Sequence, residues 1–176
     1  MDEKKALGIL KKYAPDVRAY RIILRHSRAV QCYAVWLARR VGKNRVDIEF
    51  VSNAALLHDI GRYWYPPGKN SDLHGVKGAA VLKKEGLLAY ALVCERHLGV
   101  GITRADIKKQ NLRLPLKDYV PKTIEEKIVS YADLRMKYDK IVPIQQVARR
   151  FEKEIGYGMG QRVLRMHKEI QKLYKR

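Results

Sequence analysis

Four of the five histidines and two of the aspartates in this 176-residue chain stand where helical spacing calls for apolar side chains. His26 lines up with Ala29, Val30, Tyr33 and Leu37, at steps of three, four, seven and eleven. His58 shares a stripe with Val51, Ala54 and Ala55, and His97 follows Tyr90, Val93 and Cys94. His74 precedes Gly78, Val81 and Leu82, Asp59 follows His58 inside the run AALLHDIG, and Asp133 aligns with Val129 and Met136. One such histidine is ordinarily a core residue with a hydrogen bond. Six ionisable groups are another matter, because an unpaired buried carboxylate costs several kcal/mol, on the order of 3–5. One shared cation removes the penalty, since it neutralises the acids and accepts the imidazole lone pairs. The fold must therefore bring His26, His58, Asp59, His74, His97 and Asp133 together. Neighbouring residues on a helix point about 100° apart, so His58 and Asp59 at a helix end can approach one ion from two directions. A carboxylate, with its two oxygens, can also bridge two ions.

The apolar pattern is helical nearly throughout, with no sustained alternation of strand type. It predicts helices near 3–13, 17–42, 47–60, 74–85, 87–97, 103–110, 123–138, 143–155 and 159–175. Asp47 can cap the third, Thr123-x-x-Glu126 reads as a capping box, and Pro143 suits a first helical position. Gly42, Gly61, Gly86 and Gly99 fall at expected helix ends. The fold class is all-α, a single-domain helical bundle over residues 1–176, with a core at about 20–140 and further C-terminal helices at 143–176. The stretch 62–73, RYWYPPGKNSDL, breaks helix at Pro66-Pro67-Gly68. A loop of that length in a compact domain often serves function.

Lysine and arginine number 37 against 18 acids, a net charge of +19. The excess is near even along the chain: +6 over 1–60, +6 over 61–120 and +7 over 121–176. Such a field attracts nucleotides, nucleic acid or anionic surfaces, though many surface ions also serve solubility. The basic segment 155–176, with Arg162, Arg165, Lys168, Lys172, Lys175 and Arg176 against Glu169, could track phosphates. His167 in that segment is expected to be exposed and without a role. The two cysteines, Cys32 and Cys94, form no C-x-x-C pair and are expected to be buried and reduced. The charged start, MDEKKALG, opens no apolar leader, and no charge-free run approaches the ~20 residues of a membrane span. A cytoplasmic protein is expected.

The order His26…His58-Asp59…Asp133 resembles the H…HD…D pattern of the HD-domain superfamily, and His58-Asp59-Ile60-Gly61 matches its HDIG subgroup. The chain also resembles small uncharacterised archaeal HDIG proteins. With His74 and His97 between the doublet and the last aspartate, it resembles members that hold two metals. The resemblance implies one ion on His26, His58, Asp59 and Asp133, and a second on Asp59, His74 and His97. It further implies a phosphohydrolase, a phosphomonoesterase or phosphodiesterase acting on a nucleotide or nucleic-acid-like substrate, with Asp59 as a catalytic group. An imidazole-rich set suits Mn, Fe, Co or Ni better than Mg or Ca. Arg62, Lys69 and Lys77 are candidates to bind the phosphate and, for Arg62 and Lys77, to act in catalysis. Asn70 and Ser71 could add hydrogen bonds, and Trp64 or Tyr65 could stack on a base.

Two alternatives stay open. Some members with the same ligand types resemble di-iron oxygenases, although those carry a further histidine near the position that Arg62 takes here. A basic nucleic-acid-binding module without catalysis is the other. The string Gly156-Tyr157-Gly158-Met159-Gly160 follows a helix and reads as a hinge. It is not the glycine-tyrosine-proline motif of cyclic-dinucleotide phosphodiesterases in that superfamily.

Overall fold

A computed structural model describes residues 1–68 and 70–174, so Lys69, Lys175 and Arg176 lie outside the described residues. Asp2 starts α1 (Glu3–Lys12) by accepting the Lys5 amide at 2.7 Å, and Asp16 starts α2 (Val17–Val41) by accepting that of Ala19 at 2.7 Å. Each cap satisfies an amide that the first turn leaves without a partner. Asp47 does the same for α3 (Ile48–Leu57), at 2.8 Å from the Phe50 amide. The chain then turns through His58 and Asp59 into a short 3-10 segment, Ile60–Tyr63. The expected helix to residue 60 thus ends at Leu57, and Gly61 lies inside the 3-10 turn rather than at a helix end.

Two helices, α4 (Leu73–Lys84) and α5 (Leu88–Arg96), pack as a pair against this turn. Next come α6 (Arg104–Gln110), opened by a complete Thr103–Asp106 capping box, and α7 (Ile124–Arg135). Thr123 caps α7, but only half of the expected box forms: Glu126 accepts from the Lys122 amide at 2.7 Å and from Arg96 at 2.8 Å. Two helices close the chain, α8 (Ile144–Glu154) and α9 (Met159–Tyr174), with Pro143 as the cap of α8 rather than its first residue. The described residues hold nine α-helices, and none is long and apolar enough to cross a membrane.

The fold is all-α apart from one small hairpin. Where the pattern predicts helix to residue 138, α7 stops at Arg135, and β1 (Met136–Lys137) pairs antiparallel with β2 (Lys140–Ile141). Arg135 draws the chain back by donating to the Val142 carbonyl at 2.6 Å. Tyr138 turns the hairpin at φ 59°. The core runs along α2 through Val30, Ala34 and Leu37, and takes Leu56 and Leu57 from α3 and Ile128 and Val129 from α7, all at most 1% exposed. These are the stripes that carry His26, His58 and Asp133.

Two expectations about single residues are corrected. Cys32 is exposed: it lies on the outer stripe of α2, three residues from Ala29 and four from Trp36. His167 is half-buried, because α9 packs on α7 and its Nδ1 lies 2.5 Å from the Tyr131 hydroxyl, with the rings stacked. Arg162, from the basic C-terminal helix, is committed to the interior: it donates to Asp106 at 2.7 Å and to the Gly101 carbonyl at 2.6 Å.

Candidate metal centre

All six residues of the pattern converge. His26 comes from α2, His58 and Asp59 from the turn after α3, His74 from the first turn of α4, His97 from the end of α5, and Asp133 from α7. His58, Asp59, His74 and His97 are at most 6% exposed, while His26 and Asp133 are half-buried.

Three of the rings are aimed by the same local device. The Nδ1 of His58 meets the Ala55 carbonyl at 2.7 Å, that of His97 meets the Cys94 carbonyl at 2.7 Å, and that of His74 meets the Ser71 carbonyl. Each partner is three residues earlier: Ala55 and Cys94 lie in the last turns of α3 and α5, where carbonyls lack an intrahelical donor, and Ser71 lies in the turn that leads into α4. A ring that donates from Nδ1 keeps its proton there and, in its neutral form, presents a bare lone pair at Nε2. In His58 that Nε2 is buried with no hydrogen-bond partner among the described residues. The His74 and His97 Nε2 atoms face each other at 2.9 Å. Two lone pairs that close repel unless a proton or a cation lies between them.

Asp59 sits between the two groups of rings and divides its oxygens between them. Its Oδ2 lies 3.6 Å from His26 Nε2 and 3.8 Å from His58 Nε2. Its Oδ1 lies 3.1 Å from His74 Nε2 and 3.4 Å from His97 Nε2. Asp133 Oδ1 completes the first group, at 3.0 Å from His26 and 3.5 Å from His58. Nitrogen and oxygen ligands lie about 2.0–2.2 Å from a transition metal, so neighbouring ligand atoms on an octahedral or tetrahedral ion lie roughly 3.0–3.5 Å apart. The observed separations, 2.9–3.8 Å, bracket that spacing.

Glycine lets the second group form. A Cβ on Gly61 would stand 1.9 Å from the His74 carbonyl oxygen and 2.7 Å from the Gly78 amide nitrogen, so α4 can meet the turn only because residue 61 has no side chain. A Cβ on Gly75 would stand 2.7 Å from the Cys94 carbonyl oxygen, the acceptor that orients His97. The fourth letter of HDIG is thus a packing requirement of the His74–His97 pair.

The electrostatics suit a cation. Burial disfavours charge on Asp59, but His58, His74 and His97 hold its carboxyl well below the usual range. Asp133, half-buried, is likewise held well below the usual range, desolvation being outweighed by the hydrogen bonds and charge of His26 and His58. Burial likewise opposes protonation of His58, and the Asp59 and Asp133 carboxylates overturn that, pushing the ring up to about 9. Burial dominates at His97, whose ring is lowered. Two ionised carboxylates enclosed by neutral or protonated rings form a pocket that attracts positive charge. The Cys94 thiol is no part of the donor set, since it donates to the Leu57 carbonyl at 3.2 Å.

Beside the six residues opens a cleft of about 260 Å³. His74, His97 and Asp133 lie at one side of it, Leu98, Ile102, Phe151, Ile155 and Met159 form an apolar wall, and Gln110 and Asp72 add polar groups. The apolar wall comes from α8, α9 and the segment after α5, and no sequence signal connects those parts to the histidines. Asp72 presents a buried Oδ2 without a hydrogen-bond partner among the described residues.

Of the basic candidates, Arg62 lines the cleft, with Nε donating to Asp59 Oδ1 at 3.3 Å and the guanidinium reaching the Ser71 carbonyl at 3.4 Å. Lys77 is not brought to the cleft: its ammonium lies over the Trp64 ring, 4.6 Å from the centroid. Lys69 lies outside the described residues. Ser71 enters through its carbonyl rather than its hydroxyl.

Comparison with known proteins follows the same lines. A family model described as HD domain matches residues 23–135. An uncharacterized protein of Methanocaldococcus jannaschii is 39% identical, over 99% of this chain and 100% of its own. Proteins named tRNA (cytidine(56)-2'-O)-methyltransferase, from Picrophilus torridus and Thermoplasma volcanium, are each 36% identical, over 96% and 95% of this chain. The chain spans 46% of the length of each of these two. Among solved structures, the HD domain of the Listeria monocytogenes phosphodiesterase PgpH, in complex with cyclic-di-AMP, superposes with a TM-score of 0.52 at 17% identity, covering 98% of both chains. That likeness concerns the fold.

Proposed function

The chain belongs to the HD-domain family, and from that premise we propose that it is a metal-dependent phosphohydrolase that cleaves a phosphate ester of a nucleotide or of RNA. The observation that carries this is the division of Asp59 between two groups of imidazoles, Oδ2 toward His26 and His58, Oδ1 toward His74 and His97. In this reading His26, His58, Asp59 and Asp133 hold one divalent transition metal, and Asp59, His74 and His97 hold a second. Ions held there would supply Lewis acidity, making a coordinated water more acidic and stabilising charge on a phosphoryl oxygen.

The protein's own groups do the rest. Arg62, against Asp59 at 3.3 Å, is placed to hold a phosphate oxygen as charge builds on it. The apolar wall around Phe151 and Ile155 seats a small flat group and keeps bulk water from the reacting phosphate. The volume of the cleft suits one nucleotide unit rather than a length of polymer. Similarity to two proteins named for tRNA modification supports a substrate drawn from RNA or its breakdown products. The oxygenase alternative loses ground because Arg62, rather than a further histidine, takes the position three residues after Asp59.

The test is hydrolysis by protein loaded with manganese, offered mononucleotides, cyclic nucleotides and short RNA oligomers. Phosphate or nucleoside release is expected, with a fall of at least about a thousandfold in Asp59→Asn. Two bound metals with no hydrolysis of any of these, or oxygen uptake instead, would refute the proposal.

A further inference from the structure

The cationic excess of this protein is not in the cleft, where Arg62 is the one lysine or arginine among the described lining residues. Of the net +19, +6 is carried by the single helix α2. Across its 25 residues α2 carries six arginines, no lysine and no acid. Arg18, Arg21, Arg25, Ala29, Cys32, Trp36 and Arg39–Arg40 follow one another at steps of three and four, a single stripe about 33 Å long by the rise of the helix. Arg25 pairs with Asp139 at 2.7 Å, and Arg28 beside the stripe pairs with Glu3 at 2.7 Å. Arg18, Arg21, Arg39 and Arg40 are exposed and form no ion pair among the described residues.

Within the arginines lies an aromatic platform. Trp36 is 49% exposed, stacks on Tyr33 with centroids 5.8 Å apart and planes 21° apart, and carries Arg40 at 5.0 Å from its ring. Between this platform and the β1–β2 hairpin runs a mainly apolar groove of about 600 Å³, bounded by Tyr33, Trp36, Met136 and Ile141. Tyr138, at the tip of the hairpin, is 78% exposed.

We propose that the α2 stripe and the hairpin groove form a docking face for single-stranded RNA, with the arginines on the phosphates and an unpaired base on Trp36. Arginine suits phosphate because its planar fork donates two hydrogen bonds at once. A flat exposed ring suits a base, and single-stranded segments of RNA present splayed bases while a duplex hides them. A second copy of the chain would set the same arginines face to face, which opposes a symmetric dimer through this surface. The face is separate from the residues of the candidate metal centre, and the inference stands whether or not hydrolysis does.

The experiment uses the full chain as purified and a fluorescein-labelled 20-nucleotide single-stranded RNA whose phosphorothioate linkages resist cleavage. Anisotropy is read over a series of salt concentrations, and a gel verifies that the probe survives. Affinity is expected to fall steeply with salt. Trp36→Ala should weaken binding by about tenfold or more, the scale of one lost base stack. The fourfold variant Arg18→Ala, Arg21→Ala, Arg39→Ala, Arg40→Ala should flatten the salt slope by about 3, near 0.7 per phosphate contact. Both variants should keep wild-type circular dichroism, and a blunt duplex of the same length should bind more weakly than the single strand. The proposal is overturned if both folded variants bind RNA as tightly as wild type, or if duplex binds as well as single strand. It is equally overturned if the variants lose phosphatidylserine vesicles rather than RNA, or if Trp36→Ala merely splits a wild-type dimer.

Discussion

Replacing Gly61 with alanine adds one carbon and should disable half of the centre. The new Cβ would begin 1.9 Å from the His74 carbonyl oxygen, where such contacts essentially never fall below 3.0 Å. The turn and α4 must therefore separate by about 1.1 Å, the difference between these two values. The neighbouring atoms are backbone, of His74 and Gly78, so no flexible side chain can absorb the shift. Overpacking of this kind costs roughly 1–3 kcal/mol, and a domain of this size loses about 2–4 °C in Tm per kcal/mol. A Tm lower by roughly 2–12 °C follows. The displaced element carries His74, whose Nε2 now lies 3.1 Å from Asp59 Oδ1 and 2.9 Å from His97 Nε2. His26, His58 and Asp133 sit on other elements and keep their separations. Elemental analysis after dialysis against manganese should find the variant one metal short of wild type, with the remaining ion on the His26 side. Calorimetric melting supplies the stability. Wild-type Tm together with wild-type metal content would refute the packing argument and with it the role assigned to the fourth letter of HDIG.

Other consequences can be checked separately. Before a cation binds, His58 is held at about 9 against an ordinary 6.5, so the ring is protonated at pH 7 and must release that proton to bind metal. Titration calorimetry at pH 7 in buffers of different ionisation enthalpy should show close to one proton released, with affinity rising about tenfold per pH unit up to pH 9. The sign of the linked stability follows: for the metal-stripped protein the contribution of His58 is complete below pH 6.5 and is lost as the pH rises through 9. Arg162→Ala removes the charged hydrogen bonds to Asp106 and to the Gly101 carbonyl and should cost about 1.5–3 kcal/mol in denaturant melts.

The convergence of the six residues was legible because burial of charge is so unfavourable that six ionisable groups on apolar stripes admit few explanations. The helical architecture was legible from the same periodicity, and Asp47 and Thr123 act as caps as read. What aims the rings was not legible: the Ala55, Ser71 and Cys94 acceptors are carbonyls, which every residue possesses. The hairpin after Arg135 was hidden because Met136 continues the helical stripe, while the pull of Arg135 on Val142 is tertiary. His167 read as exposed because its neighbours in sequence are basic, yet its partner Tyr131 lies 36 residues away. Lys77 shares a turn with His74, but spacing alone does not reveal that Trp64 lies beneath its ammonium. The arginine stripe escaped a tally by thirds, since a count along the chain is blind to which side of a helix the charges occupy.

The backbone tethers on His58, His74 and His97 bear on how the protein acquires its ions. Each ring is held by a carbonyl three residues earlier in its own segment, so it is aimed locally and packing of the elements then brings the rings together. A cation that enters this arrangement would relieve the crowding of buried carboxylates and facing lone pairs, and would stabilise the folded chain by doing so. Rings aimed in advance would meet an incoming ion with little rearrangement, so exchange of one divalent cation for another should leave the circular dichroism of the chain unchanged.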